Sequence, residues 1–128
     1  MSDAQGEAPS FDTVRALAES FAASLTATAF RYVHLDVSPS ALVCCSDRRV
    51  SWSLLSDSFP YRRVRRDGTV HAHTGAGEYF GRGSTSSRPE PTPTAAWFYD
   101  APDLEARCLE HCCPMPSYGS TLSLIWEG

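Results

Sequence analysis

An α+β fold is expected from this sequence: a mainly antiparallel sheet of five to seven strands with two helices packed on one face. Three observations carry that expectation. A long apolar stripe at three- and four-residue steps opens the chain, short alternating segments joined by turn residues follow, and a second helical pattern precedes one last alternating segment. The expected order is α-β-β-β-β-β-(β)-α-β, in a single domain over residues 10–128 after a flexible polar tail at 1–9.

The first element is a helix. Ser10 stands where an N-cap belongs and Asp12 meets the positive end of the helix dipole. Phe11, Val14, Leu17, Ala18, Phe21, Leu25 and Ala29 then mark one face, with Glu19, Ser20 and Ser24 outside it. From Arg31 the period changes to two. Val33, Leu35 and Val37 alternate with Tyr32, His34 and Asp36, which reads as a half-buried strand stopped by Ser38-Pro39-Ser40. Ala41 to Cys45 and Val50 to Leu55 flank Ser46-Asp47-Arg48-Arg49 and read as a hairpin.

A second hairpin is expected after Pro60. Tyr61 to Arg66 and Thr69 to Thr74 meet at Asp67-Gly68, a pair suited to the positive φ angles of a type I′ turn. Neither face of this ribbon is apolar, so it should stand proud of the sheet. Residues 75–94 combine four glycines with STSSRPEPTPT and read as a long mobile loop. Ala95 to Tyr99 is apolar enough for a strand. Asp100, Pro102 and Asp103 then suit the first turn of a second helix, with Leu104, Cys108, His111 and Cys112 as its inner stripe and Pro114 and Pro116 ending it. Ser120 to Trp126 alternates again and supplies the last strand.

Composition narrows the function. The chain has 128 residues, 42% hydrophobic and 20% charged, with a net charge of −4, which argues against both wholesale disorder and a basic coat for nucleic acid. No apolar run approaches the roughly 18 residues that a membrane span needs. The acidic start Met1-Ser2-Asp3 is unlike a signal peptide. An intracellular, reducing location with no membrane partner is expected. Five cysteines include the adjacent pairs Cys44-Cys45 and Cys112-Cys113 but no CxxC, so they read as reduced thiols.

The charge map is lopsided. All eleven basic residues are arginine, and asparagine is absent along with lysine, a pattern that codon bias explains better than avoidance of amine chemistry. Six of the eleven, Arg48, Arg49, Arg62, Arg63, Arg65 and Arg66, crowd into one stretch between positions 48 and 66. Planar guanidinium groups bind carboxylates and phosphates bidentately. Trp52, Phe59 and Tyr61 are interleaved with them as candidate anchors, and His71 and His73 continue the same ribbon. The expectation is a small non-catalytic binding module whose arginine hairpin engages a partner protein with an acidic surface.

Two alternatives come from other classes. Cys108, His111 and Cys112 would share one helical face in zinc-ligand geometry, with Cys44, Cys45 or His34 as the fourth ligand, or would form a thiol site. Arginines among aromatic residues also suit single-stranded nucleic acid. No GK[ST], HExxH, GxSxG or paired-carboxylate motif occurs, so neither an enzyme nor a cofactor is expected. An unpaired sheet edge would allow a homo-oligomer.

Overall fold

Two adjacent β-hairpins and a short edge strand build the sheet on which everything else rests. The computed structural model describes the backbone from Phe11 to Glu127 and side chains from Ser20 onward; the tail at 1–9 and the Ser10 cap lie outside the described residues. The elements are α1 (Phe11–His34), β1 (Ala41–Ser46), β2 (Arg49–Leu55), α2 (Gly75–Arg82), β3 (Glu90–Pro93), α3 (Thr94–Trp97), β4 (Arg107–Met115) and β5 (Ser120–Trp126). The five strands form one antiparallel sheet in the order β2-β1-β5-β4-β3. The α+β class and the five antiparallel strands are as the sequence predicts.

Each hairpin closes for a local reason. Asp47 and Arg48 both take positive φ, 52° and 66°, so β1 and β2 are joined by two central residues rather than four. That left-handed geometry matches the twist of paired strands but is unfavourable for arginine. β4 and β5 are joined through a 3-10 turn at Pro116–Tyr118 and Gly119, whose φ of 63° favours glycine. A bulge between Cys44 and Cys45 leaves Ser51 as the extra residue of β2.

Alternation along the strands divides the core in two. Ala41, Val43, Cys45, Cys108, Cys112 and Ile125 face one side with Phe59, Val64, Ala76, Trp97 and Phe98. Leu42, Cys44, Met115 and Leu122 face the other, against Ala22 and Val33 of α1. Helices therefore lie on both faces, α1 on one and α2 with α3 on the other, rather than two on one face. Adjacent Cys44 and Cys45 enter opposite cores, as neighbours on a strand must.

Several elements differ from expectation. Arg31 to Val37 is not a strand. α1 runs on to His34 and ends in a Schellman turn, with Asp36 left-handed at φ 53°, its N–H on the Val33 carbonyl (3.0 Å) and the Val37 N–H on Tyr32 (3.4 Å). Val33 is fully buried while Leu35 and Val37 are exposed. The buried stripe of α1 runs through Ala22 and Val33 with Leu25 and Ala29 half-buried, and Phe21 points to solvent at 67% exposure.

Residues 75–94 are not one long loop, since they carry α2 and β3. Thr74 caps α2 by accepting from the Gly77 N–H (2.9 Å), and Gly83 closes it at φ 83°. Ala95 to Tyr99 is mostly the short α3, with only a bridge from Phe98 to Val64. The expected second helix is instead β4. Leu104, which opened its supposed stripe, is 84% exposed. Pro114 fits β4 because β3 pairs only as far as Glu110, so the missing N–H faces an open edge.

Candidate functional site

Six arginines from two chain segments meet along the β2 border. After β2 the chain turns at Ser56, whose N–H bonds the Ser40 carbonyl (2.9 Å) while its hydroxyl accepts the Ser40 N–H (2.9 Å). Arg62 clamps this turn, its guanidinium donating to the carbonyls of Ser56 (2.7 Å) and Phe59 (3.0 Å). Asp100 then receives the backbone N–H groups of Arg62 (2.8 Å) and Arg63 (3.2 Å). Loss of some hydration opposes ionisation of Asp100, but these two donors, with its own N–H and the charge of Arg63, prevail and hold its carboxyl below the ordinary aspartate value.

Past this contact with Asp100, residues 63–65 run extended against the end of α3. The Arg65 N–H bonds Trp97 (2.8 Å), the Tyr99 N–H bonds Arg63 (2.8 Å), and Val64 turns inward. Arg63 and Arg65 consequently project outward. Arg65 lies over the Tyr99 ring at 4.9 Å, and Arg66 reaches Ser53 of β2 (2.5 Å). Finally the Val70 N–H bonds the Arg48 carbonyl (2.7 Å), docking the second arginine segment beside the β1–β2 turn.

The proud hairpin expected at 61–74 is therefore absent. Asp67-Gly68 is a turn, Gly68 having φ 65°, but its flanks do not pair with each other. They lie on the core, because Val64 and Val70 supply the apolar positions that the chain buries there. The arginine cluster survives this correction. All six are exposed, and among the described residues none lies within ion-pair distance of a carboxylate. Several acids beside this stretch already accept bonds: Asp36 from the Ser58 hydroxyl (2.5 Å), Asp67 from the Tyr99 hydroxyl (2.7 Å), Glu127 from the Tyr61 hydroxyl (2.9 Å) and Asp100 as above.

The aromatic candidates divide. Phe59 is 2% exposed in the core and serves as no surface anchor. Tyr61 packs on Phe59 and Phe98 and donates its hydroxyl to Glu127 (2.9 Å). Trp52 remains half-exposed against Phe30, their ring centres 6.1 Å apart. His71 and His73 do not share a strand face. They sit in the turn before α2, where the His73 N–H donates to Nδ1 of His71 (3.1 Å).

The zinc and thiol alternative loses its geometry. On a strand, Cys108 and Cys112 point into the core while His111 points to the opposite side, its Nε2 3.0 Å from the Ser87 carbonyl. Cys44 lies in the other core from Cys108 and Cys112. Among the described residues no three His, Cys, Asp or Glu side chains gather where a metal ion would sit. Burial pushes the Cys45 and Cys112 thiols up to about 12 and Cys108 to about 11, the reverse of what a nucleophile needs.

A second feature escaped the sequence reading. Glu110 lies on the inner face of β4, 2% exposed, beneath the start of α2. Its Oε1 accepts from the Gly75 N–H (2.8 Å), the Trp97 indole (3.1 Å) and the Thr92 hydroxyl (3.4 Å). Its Oε2 accepts from the Ser123 hydroxyl (2.7 Å) and the Ala76 N–H (3.3 Å).

Five donors from four elements thus converge on one carboxylate. The approach needs glycine at 75, because a Cβ there would come within 2.8 Å of the Cys112 Cβ and 3.0 Å of Oε2. A cleft of about 650 Å³ opens above, edged by His73, Arg88, Glu90 and the Glu78–Arg82 pair (3.5 Å). With its lone pairs spent on structural donors, Glu110 is a joint between α2, α3 and the sheet rather than a reacting group. The sequence signals were Thr74-Gly75-Ala76-Gly77 as a helix start and a glutamate alternating with two buried cysteines.

No family model matches the chain, and neither a curated protein nor a solved structure does. Among the described residues no helix is long and apolar enough to cross a membrane.

Proposed function

We propose that this protein is a non-catalytic binding module whose arginine border engages an acidic surface on a partner protein. One observation carries the reading: six guanidinium groups, contributed by two separate segments, are exposed along one border without a carboxylate partner among the described residues. Exposed and preorganised arginines form charge-assisted, bidentate bonds with carboxylates. They also raise association rates with acidic partners. Among the described residues the Glu110 oxygens are already taken up by five donors and burial suppresses the thiolates of Cys45, Cys108 and Cys112, which speaks against either serving as base or nucleophile. Burial of Phe59 takes away one of three stacking rings, which favours a protein over single-stranded nucleic acid.

The test separates binding from folding. Arg62 and Arg66 bond to the protein itself, so the substitutions belong at Arg48, Arg49, Arg63 and Arg65. The partner isolated from the native source is titrated with the wild type and with this fourfold serine variant, at low and high salt. We expect the variant to retain its circular dichroism and melting, and its affinity to fall about thirtyfold or more at low salt. Undiminished binding by the folded variant refutes the proposal, and tighter binding of single-stranded DNA than of the acidic partner replaces it.

A further inference from the structure

The two edges of the sheet are built differently. β3 carries Pro91 and Pro93 in its four residues, so its outer side lacks the N–H groups that a further strand would need. β2 has no proline in seven residues, Arg49–Leu55, and pairs only with β1. Among the described residues its outward backbone groups bond to no other backbone. The nearest such bond, from the Val70 N–H, goes to Arg48 just ahead of the strand.

This open edge also has two chemically distinct flanks. On the α1 side stand Trp52 and Phe30, half-exposed and 41% exposed respectively. On the other side Arg66 lies across Ser53, which is paired with Val43 and so shares the face of that core residue. Arg48 and Arg49 stand at the turn end of the edge.

We infer that the partner contributes an extended segment that adds to the sheet as a strand on β2, with acidic residues alternating with apolar ones. The inference rests on the acidic-partner reading above and names the form in which the acidic chain arrives. Alternate side chains of a strand leave on opposite faces. One set therefore meets Arg66 and the other meets Trp52 and Phe30, so only an alternating order satisfies both flanks. Seven residues of edge span about 24 Å, enough for a segment of six or seven residues. A second copy of this chain is disfavoured as occupant, because two β2 edges joined antiparallel would bring the Arg66 side chains of both copies, each lying across Ser53, onto one face near the middle of the seam.

The probe is a soluble heptapeptide, Val-Glu-Val-Glu-Val-Glu-Val, flanked by Gly-Ser and titrated into the whole protein. The readouts are fluorescence anisotropy and the backbone amide shifts of the protein. We expect saturable binding with shifts concentrated at residues 50–55. Affinity should drop about tenfold in each of three comparisons: lysine for glutamate, the same residues in block order, and the variant Arg49→Glu, whose exposed side chain stands at the end of the edge. Methylating the peptide nitrogens at one alternate set of residues should abolish binding, while methylating the other set should be tolerated.

Binding that ignores order and methylation but falls with the arginine substitutions overturns the strand geometry and leaves the acidic-partner reading standing. Absence of binding by any acidic peptide overturns the inference, while the assay on the native partner judges the broader reading independently. Sedimentation showing a dimer whose shifted amides are those of residues 50–55 also overturns it, as does displacement of the peptide by an oligothymidine.

Discussion

Glu110 is the position at which a single substitution should be most informative. Glu110→Ala removes the acceptor of five donors at once: the Gly75 and Ala76 N–H groups, the Trp97 indole, and the hydroxyls of Thr92 and Ser123. A buried donor left without a partner costs about 1–3 kcal/mol. The two hydroxyls can rotate to other acceptors, whereas the two helix N–H groups and the indole cannot, so a loss of about 3–5 kcal/mol follows.

Glu110→Gln keeps the shape. Its carbonyl oxygen can hold the three donors of Oε1 while its NH₂ faces Ser123, whose hydroxyl can accept, and Ala76, whose N–H then clashes electrostatically. With the charge also removed, the glutamine variant should lose about 1–2 kcal/mol. The assay is urea unfolding followed by tryptophan fluorescence, since Trp97 reports directly on the site. Small domains are commonly stable by only about 5–15 kcal/mol, so the alanine variant should unfold markedly earlier than glutamine, and glutamine earlier than wild type. An alanine variant within about 1 kcal/mol of wild type would refute the view that this carboxylate joins α2 and α3 to the sheet.

Gly77→Ala should destabilise by more than about 2 kcal/mol because its Cβ would overlap the His71 carbonyl, whereas Gly81→Ala, with nothing within 4 Å, should stabilise by about 0.5–1 kcal/mol; thermal melts of the two decide it. The contribution of the buried thiols to stability should be lost as the pH rises through about 9 and beyond. The Cys45, Cys108 and Cys112 thiols ionise near the ordinary 9.0 when unfolded but only at about 11–12 when folded, so rising alkali favours the unfolded chain; urea midpoints across pH 8–11 would show it. In native protein at neutral pH, alkylation should reach half-buried Cys113 before Cys45 or Cys112, and mass mapping of rapid labelling at Cys45 would contradict the burial described here.

Where sequence reading went astray, two periodicities competed over a short window. Val33, Leu35 and Val37 alternate as a strand would, yet only Val33 is buried, because α1 carries on until Asp36 turns the chain. Leu104, Cys108, His111 and Cys112 fit a helical stripe equally well as spacing. As a strand, the same stretch buries Cys108, Glu110 and Cys112, and no pattern of apolar letters marks a glutamate as internal. Its burial is tolerable only because Thr92, Trp97, Ser123 and the start of α2, far apart along the chain from Gly75 to Ser123, supply donors. The arginine cluster was legible in outline, but the hairpin expected to display it was not there, since Val64 and Val70 draw that segment onto the core.

By itself, the sequence determined the α+β class, the hairpin around Asp47-Arg48, the last strand at Ser120–Trp126 and the crowding of arginines between positions 48 and 66. These depend on local turn chemistry, short-range alternation and composition, which act within a few residues. Only the tertiary structure decided that residues 107–115 are a strand, that helices cover both faces, that Glu110 is a buried joint, and that one sheet edge is closed by proline while the other lies open beside the arginines. Those features depend on which surfaces meet, and burial and hydrogen bonding between distant segments then overrule a local preference worth no more than a few tenths of a kcal/mol per residue.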